Sequence, residues 1–188
     1  MEPITLQELV QAVGGTLLGD CRESCVKITG AESDNRVVKT GDVFFAFVGE
    51  KVDGHRFVKA ALEAGAAGAV VSRDPGEYVP DRFYVLVPDT ILALGDLARW
   101  YRSKFDAPVV GITGSVGKTT TKDMIAAVLS EKYETLKTAG NYNNNIGLPK
   151  TLFGLSHKTQ MAVIEMGMNH LGEIDYLVQI AKPQTVTI

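Results

Sequence analysis

Val109-Val110-Gly111-Ile112-Thr113-Gly114-Ser115-Val116-Gly117-Lys118-Thr119-Thr120-Thr121 decides how the second half of this chain folds. Pro108 to Ile112 is apolar and β-branched, as a buried strand requires. It runs into a glycine-rich turn that ends in Gly-Lys-Thr, and an amphipathic segment follows. Glycine allows the turn and a close approach of the backbone. The N–H groups of the turn and of the next helix start can converge on a phosphate, with Lys118 neutralising its oxygens and the Thr119 hydroxyl joining a Mg²⁺ shell. The spacing departs from the strict Walker pattern: Ile112 stands where the first glycine belongs, and the glycines fall at 111, 114 and 117. The plain alternative is a glycine-rich strand-to-helix turn with a chance Lys-Thr.

Strands and helices alternate outward from this turn. The pattern predicts a strand over 108–113, a helix from 118 to 131, a strand over 134–138, a short helix over 148–154, a strand over 161–166 and a helix over 173–181. The chain then closes on Thr185-Val186-Thr187-Ile188. Such alternation indicates a parallel sheet covered on both faces. Four strands are fewer than a nucleotide-binding sheet of this kind needs, so the expectation is that the polypeptide is the front part of a longer protein. Upstream, Thr5 and Glu8 form a capping box for a helix carrying Leu6, Leu9, Val10 and Val13, which Gly14-Gly15 ends. Strands are expected at 16–19, 25–31, 42–48, 69–72 and 83–87, and a helix over 56–65. Thr90 is expected to cap a helix that runs to Phe105, with the domain boundary near Pro88-Asp89, giving domains 1–88 and 89–188.

Composition excludes several classes. The 188 residues suit one large or two small domains, and 45% apolar residues are enough for a sizeable core. A net charge of −3 argues against nucleic acid and against anionic membrane as partners. No apolar run approaches the roughly 20 residues that span a bilayer. Met1-Glu2-Pro3-Ile4-Thr5 lacks the basic start of a signal peptide. Cys21 and Cys25 form a lone C-x-x-x-C, poor spacing for zinc, and read as two reduced thiols of a cytoplasmic protein.

Three further constellations carry polar chemistry. Thr138-Ala139-Gly140-Asn141-Tyr142-Asn143-Asn144-Asn145-Ile146-Gly147-Leu148-Pro149 follows a strand, where ligands of open α/β sheets bind and where Asn amides both donate and accept. A solvated loop using Asn for left-handed turns fits the same residues. Ala162-Val163-Ile164-Glu165-Met166-Gly167 ends a buried strand on a carboxylate, costly unless paired or bound to a metal. Beside a phosphate loop it suits a Mg²⁺-linked acid, and the alternative is a satisfied edge carboxylate. His170, in the following Met168-Asn169-His170-Leu171-Gly172-Glu173-Ile174, either faces the site or caps the next helix. In the first half, Ser33, Asp34, Arg36, Asp53 and His55 sit on loops bounding the apolar run Val43 to Val48. They suit a polar ligand, and ordinary turn chemistry suits them too.

Together these stretches resemble the Mur ligase family, the ATP-dependent amide-forming enzymes of peptidoglycan synthesis, over essentially the whole chain. Ser33-Asp34-Asn35-Arg36 and Gly41-Asp42…Gly49…Asp53-Gly54-His55 are similar to its UDP-sugar-binding domain, with Asn35 where Ser is commoner. Thr113-Gly114-Ser115-Val116-Gly117-Lys118-Thr119 is similar to its ATP loop, which departs from Walker spacing in the same way. Gly140 to Pro149 and Glu165 to Ile174 resemble the branch that joins D-alanyl-D-alanine to UDP-N-acetylmuramoyl-tripeptide.

The resemblance implies an α/β chain: a small N-terminal UDP-substrate domain, then the first part of a P-loop parallel-sheet ATPase domain, its remainder and a third domain being absent. It implies ATP bound by Thr113, Gly114, Ser115, Val116, Gly117, Lys118 and Thr119, and Mg²⁺ held by Thr119 and Glu165. Lys118 and Glu165 serve phosphoryl transfer to the tripeptide carboxylate. Ser33, Arg36 and His55 hold the uridine diphosphate portion, and Asn141, Asn144 and Asn145 contact the UDP-sugar or its peptide arm. The 188 residues alone are then expected to be inactive. Rival readings are a folate polyglutamate ligase of the same superfamily, a switch GTPase or nucleoside kinase, and a non-catalytic UDP-sugar-binding module. The strand carrying Glu165 lacks a D-x-x-G pattern, and the chain has no N-K-x-D guanine motif.

Overall fold

A computed structural model describes residues 1–19 and 26–188; Cys21 and Cys25 lie outside the described residues. The chain divides into two compact units, Met1–Leu97 and Ala98–Ile188.

The first unit opens with β1 (Ile4–Thr5) and α1 (Leu6–Val13). Thr5 and Glu8 make the expected reciprocal cap, and Gly14 ends the helix at φ 59°. β2 (Thr16–Leu18), β3 (Lys27–Ile28), β4 (Gly30–Glu32), β5 (Asp42–Phe45), α2 (Val58–Glu63), β6 (Gly68–Val71) and β7 (Phe83–Leu86) follow, and a 3₁₀ turn Gly54–Phe57 precedes α2. The main sheet has the order β2-β7-β6-β5-β4, with β2 antiparallel to β7 and the rest parallel. The run expected as one strand over 25–31 breaks at Thr29: β3 pairs with β1 in a separate antiparallel ribbon, and β4 joins the main sheet. The strand expected over 42–48 stops at Phe45, because Phe47 and Val48 turn into a loop closed by a Val48–Asp53 bridge. The core explains the apolar runs. Val43, Phe44, Phe45, Ala69, Val70, Val71, Phe83 and Val85 are all fully buried, as strands covered on both faces must be.

α3 (Thr90–Arg102) runs from the first unit into the second. Its cap differs from expectation. Asp89 Oδ1 accepts from the N–H groups of Ile91 and Leu92, while the Thr90 hydroxyl donates instead to the Ala46 carbonyl. The carboxylate is the stronger acceptor for helix N–H groups, and Thr90 is buried against the end of β5.

The second unit holds β8 (Val109–Ile112), α4 (Lys118–Ser130), β9 (Thr135–Lys137), α5 (Gly147–Leu152), β10 (Met161–Glu165), α6 (Glu173–Ala181) and β11 (Thr185–Thr187). Its sheet is entirely parallel, in the order β11-β8-β10-β9. α4 lays Ala126, Ile125 and Leu129 on Val110, Ile112 and Val163. The alternation along β8 turns Gly111 to the opposite face, where a Cβ would stand 2.6 Å from the Met166 methyl. The buried Arg102 guanidinium ties three ends together, donating to the carbonyls of Ala181, Phe105 and Ala107 at 3.2, 2.5 and 2.9 Å.

Candidate functional site

In the second unit the chemistry gathers at the carboxyl ends of β8, β9 and β10. β8 ends at Ile112, whose register partner on β10 is Glu165, so the glycine loop leaves the sheet beside that carboxylate. Gly114 and Gly117 take φ values of 131° and 77°, a left-handed backbone that only glycine adopts without strain. Gly117 starts α4 without any side-chain cap. The first-turn N–H groups of a helix of 13 residues are therefore left for an acceptor from outside, and the helix dipole favours an anion there. Ser115, Val116, Gly117 and Thr119 are exposed, and Thr113 and Gly114 are half-buried. The Lys118 amine donates to the Gly114 carbonyl at 2.8 Å, holding the loop in a closed ring.

Glu165 is 2% exposed. Its N–H donates to the Thr138 hydroxyl at 2.9 Å, and its Oε1 accepts from Asn143 Nδ2 at 2.9 Å. Oε2 is buried and has no hydrogen-bond partner among the described residues. The nearest cation is Lys122 Nζ, 4.0 Å away and itself 2% exposed. A buried carboxylate oxygen left open is costly, so it marks a place for a ligand. No group of three or more His, Cys, Asp or Glu side chains that could hold a metal is found among the described residues. One carboxylate, one hydroxyl and phosphate oxygens are nonetheless the usual company of Mg²⁺, which keeps its water and needs few protein ligands. The donor set of Thr119 and Glu165 fits that ion.

The Asn loop divides its labour. Asn144 Oδ1 accepts from the N–H groups of Ile146 and Gly147 and so starts α5. Asn141 and Asn145 are exposed. Asn143, which the sequence reading left out, reaches Glu165, and its carbonyl accepts from Gly167 N–H at 2.8 Å. Gly167 lacks a Cβ that would stand 2.9 Å from the Asn143 amide. Lys122 was also missed; its one available signal was the four-residue spacing from Lys118, which puts both on one face of α4. His170 is exposed and pairs with Glu173 at 3.1 Å, and Glu173 accepts from the N–H groups of Asn169 and His170. This is the helix-start role, and the Glu173 carboxyl is held below its ordinary range by those bonds, that from Asn169 N–H first.

In the first unit a second polar cluster lies at the carboxyl ends of the parallel strands. Ser33 and Asp34 follow β4, and Arg36 clasps Asp34 through Nε at 2.9 Å and Nη2 at 2.6 Å. The Arg36 guanidinium is otherwise exposed, and its pKa is raised by Asp34. His55 is nearly buried: Nδ1 lies 2.7 Å from Asp53 Oδ1, and Nε2 accepts from Ser72 N–H at 3.0 Å. Because Nε2 accepts, the proton of the neutral ring sits on Nδ1 and points to Asp53. Arg73 closes on the other Asp53 oxygen. The His55 N–H and ring, then Arg73, hold the Asp53 carboxyl down at about 2. A cavity of about 130 Å³ opens beside this cluster, lined by Val48, Ser72, Pro88, Asp89, Thr90 and Ile91. Ser72, Arg73 and Asp89 escaped the sequence reading because nothing local distinguishes them.

This fold and these motifs place the protein among the Mur ligases. The description "Mur ligase family, catalytic domain" matches residues 27–102, and "Mur ligase middle domain" matches residues 112–188, so the chain belongs to that family. It is 42% identical over 184 residues to the UDP-N-acetylmuramoyl-tripeptide–D-alanyl-D-alanine ligase of Bacillus subtilis, and 40% identical over 188 residues to that of Escherichia coli. These alignments take in 98% and 100% of this chain and 40% of each relative. A crystal structure of MurF from Acinetobacter baumannii superposes with a TM-score of 0.91 at 39% identity, over 99% of this chain and 40% of that one. MurF from Thermotoga maritima in complex with ADP superposes with a TM-score of 0.73 at 37% identity, over 81% of this chain and 35% of that one. The chain thus spans about 40% of the length of the relatives that cover it whole. No described helix is long and apolar enough to cross a membrane.

Proposed function

We propose that this chain is the substrate-binding and phosphate-binding part of an ATP-dependent ligase that adds D-alanyl-D-alanine to UDP-N-acetylmuramoyl-tripeptide in the cytoplasm. The open, buried oxygen of Glu165 beside the Gly-Lys-Thr turn is the observation that carries the reading. In it, residues 1–88 bind the UDP-sugar and residues 89–188 begin the ATP-binding domain. The N–H groups of Gly114 to Thr119 cradle the phosphates, and Lys118 leaves Gly114 to neutralise charge that builds on the transferred phosphoryl group. Thr119 and Glu165 hold Mg²⁺, which when bound screens the phosphate oxygens and aligns them for transfer. The tripeptide carboxylate takes the phosphoryl group as an acyl phosphate; the dipeptide amine then attacks the activated carbonyl and phosphate leaves. The protein contributes mainly position and charge.

Ser33, Arg36 and His55 serve the uridine diphosphate end. Arg36 can turn from Asp34 to a diphosphate, since its guanidinium is otherwise in water. Asn141 and Asn145 are the amides free to meet the sugar or peptide arm, while the Asn144 carboxamide oxygen is committed to its turn and only its NH₂ remains.

Calorimetry tests the reading with two ligands. UDP-N-acetylmuramoyl-tripeptide should bind the native chain and the Lys118→Ala variant alike, while ATP with Mg²⁺ should bind only the native chain. Equal loss of both ligands in Lys118→Ala refutes the assignment to separate sites, and binding of neither by the native chain refutes the reading itself.

A further inference from the structure

Lys122 has no part in the chemistry above, yet it is 2% exposed. Lysine is almost never buried so deeply unless its charge is met. Among the described residues two carboxylates face it: Glu165 Oε2 at 4.0 Å and Asp123 Oδ1 at 3.6 Å. They differ in what else holds them. Asp123 is half-exposed and already accepts from Lys137 at 2.8 Å. Glu165 Oε2 is buried without a hydrogen bond, its sister oxygen being taken by Asn143. The Lys122 ammonium is therefore the charge that makes the open oxygen tolerable, at a distance too long for a hydrogen bond and so easily given up.

We propose that Lys122 is a positioning residue for a divalent cation: its ammonium neutralises the open oxygen of Glu165, then turns to Asp123 when the cation binds there, and so sets how tightly that cation is held. This rests on the reading of Glu165 as a cation ligand. The charge on Lys122 opposes a second positive charge on the same oxygen, so its removal strengthens cation binding while it weakens the cation-free fold. A lysine that merely props up the helix does the second without the first.

The experiment follows Mn²⁺ binding to the 188-residue chain in the presence of ADP, read as the loss of free-Mn²⁺ signal, together with urea unfolding without divalent ions. Lys122→Met should lower the Mn²⁺ dissociation constant on the order of tenfold, and should lower the unfolding midpoint. Lys122→Arg should restore the native Mn²⁺ affinity. The double variant Lys122→Met with Glu165→Gln should recover much of the lost midpoint, because no charge is left alone. Unchanged or weaker Mn²⁺ binding in Lys122→Met, with binding lost in Glu165→Gln, overturns the role given to Lys122 and leaves Glu165 as the ligand. Native Mn²⁺ affinity in Glu165→Gln overturns the reading beneath it. Should Lys122→Met not fold, the double variant decides: it folds if the two charges answer each other, and its failure to fold overturns the proposal.

Discussion

Asn143→Asp puts a second carboxylate where an amide now donates to Glu165 Oε1 at 2.9 Å. At that separation, and with an effective dielectric constant of about 20, two like charges repel by about 6 kcal/mol. The pair can avoid this by sharing one proton. From an ordinary carboxylate value near 4, taking up that proton at pH 7 costs about 4 kcal/mol, or about 1.4 kcal/mol for each pH unit. The smaller cost prevails, so the variant should lose up to about 4 kcal/mol at pH 7, with Lys122 beside the other oxygen trimming the loss. The sign follows from linkage. Between pH 4 and 7 the folded variant binds more protons than its unfolded chain, so its stability falls as pH rises and is fully present below about pH 4. Urea unfolding at pH 5, 6 and 7 measures this against the native chain, with Asn143→Leu as the uncharged control. The control should lose about 1–3 kcal/mol at every pH, the cost of leaving a buried carboxylate oxygen unsatisfied. Mg²⁺ should recover more stability in Asn143→Asp than in the native chain, because a dication between two carboxylates replaces the shared proton. A deficit that is the same at pH 5 and pH 7 refutes the placement of Asn143 against Glu165.

Two further outcomes rest on charges away from the phosphate loop. Arg102→Met removes a buried guanidinium whose pKa is lowered by burial and leaves the carbonyls of Ala181, Phe105 and Ala107 without their donor. Urea unfolding should show a loss of about 3 kcal/mol or more, with no change in UDP-ligand affinity, and a loss under about 1 kcal/mol would show the three bonds to be dispensable. Asp53 titrates at about 2 in the fold, so its bonds to His55 and Arg73 support the first unit above about pH 4 and are lost as pH falls from about 4 to 2. Carboxyl NMR should place its midpoint there, Asp53→Asn should flatten that part of the acid unfolding curve, and a midpoint near 4 would show that His55 and Arg73 do not hold it.

Features that depend on neighbours within a few residues were legible in the sequence. Thr5 and Glu8, three positions apart, make their cap; Gly114 and Gly117 take the positive φ that the turn needs; and the apolar runs of β8 and β10 pair in parallel as their composition demands. Backbone geometry and periods of two and 3.6 residues decide such matters, and both are written locally. Where two local choices compete, the fold arbitrates. Residues 25–31 read as one strand, but β3 found β1 and β4 found β5, and the strand is interrupted at Thr29 between the two sheets. Thr90 reads as the cap, but burial against Ala46 gave its hydroxyl another acceptor and Asp89 took the helix N–H groups. Glu165 itself could be picked out as a carboxylate ending a buried strand. The partners that define it could not. Asn143 lies 22 residues before it, and Lys122 reaches it from another element. In an Asn-rich loop every amide looks alike along the chain, and only the pairing of β9 with β10 selects Asn143 to face the carboxylate. The sequence determines which groups are available and the strand–turn–helix that presents a phosphate loop; the tertiary structure decides which of them meet, because hydrogen bonds and buried charges act over a few ångströms of space and take no account of separation along the chain.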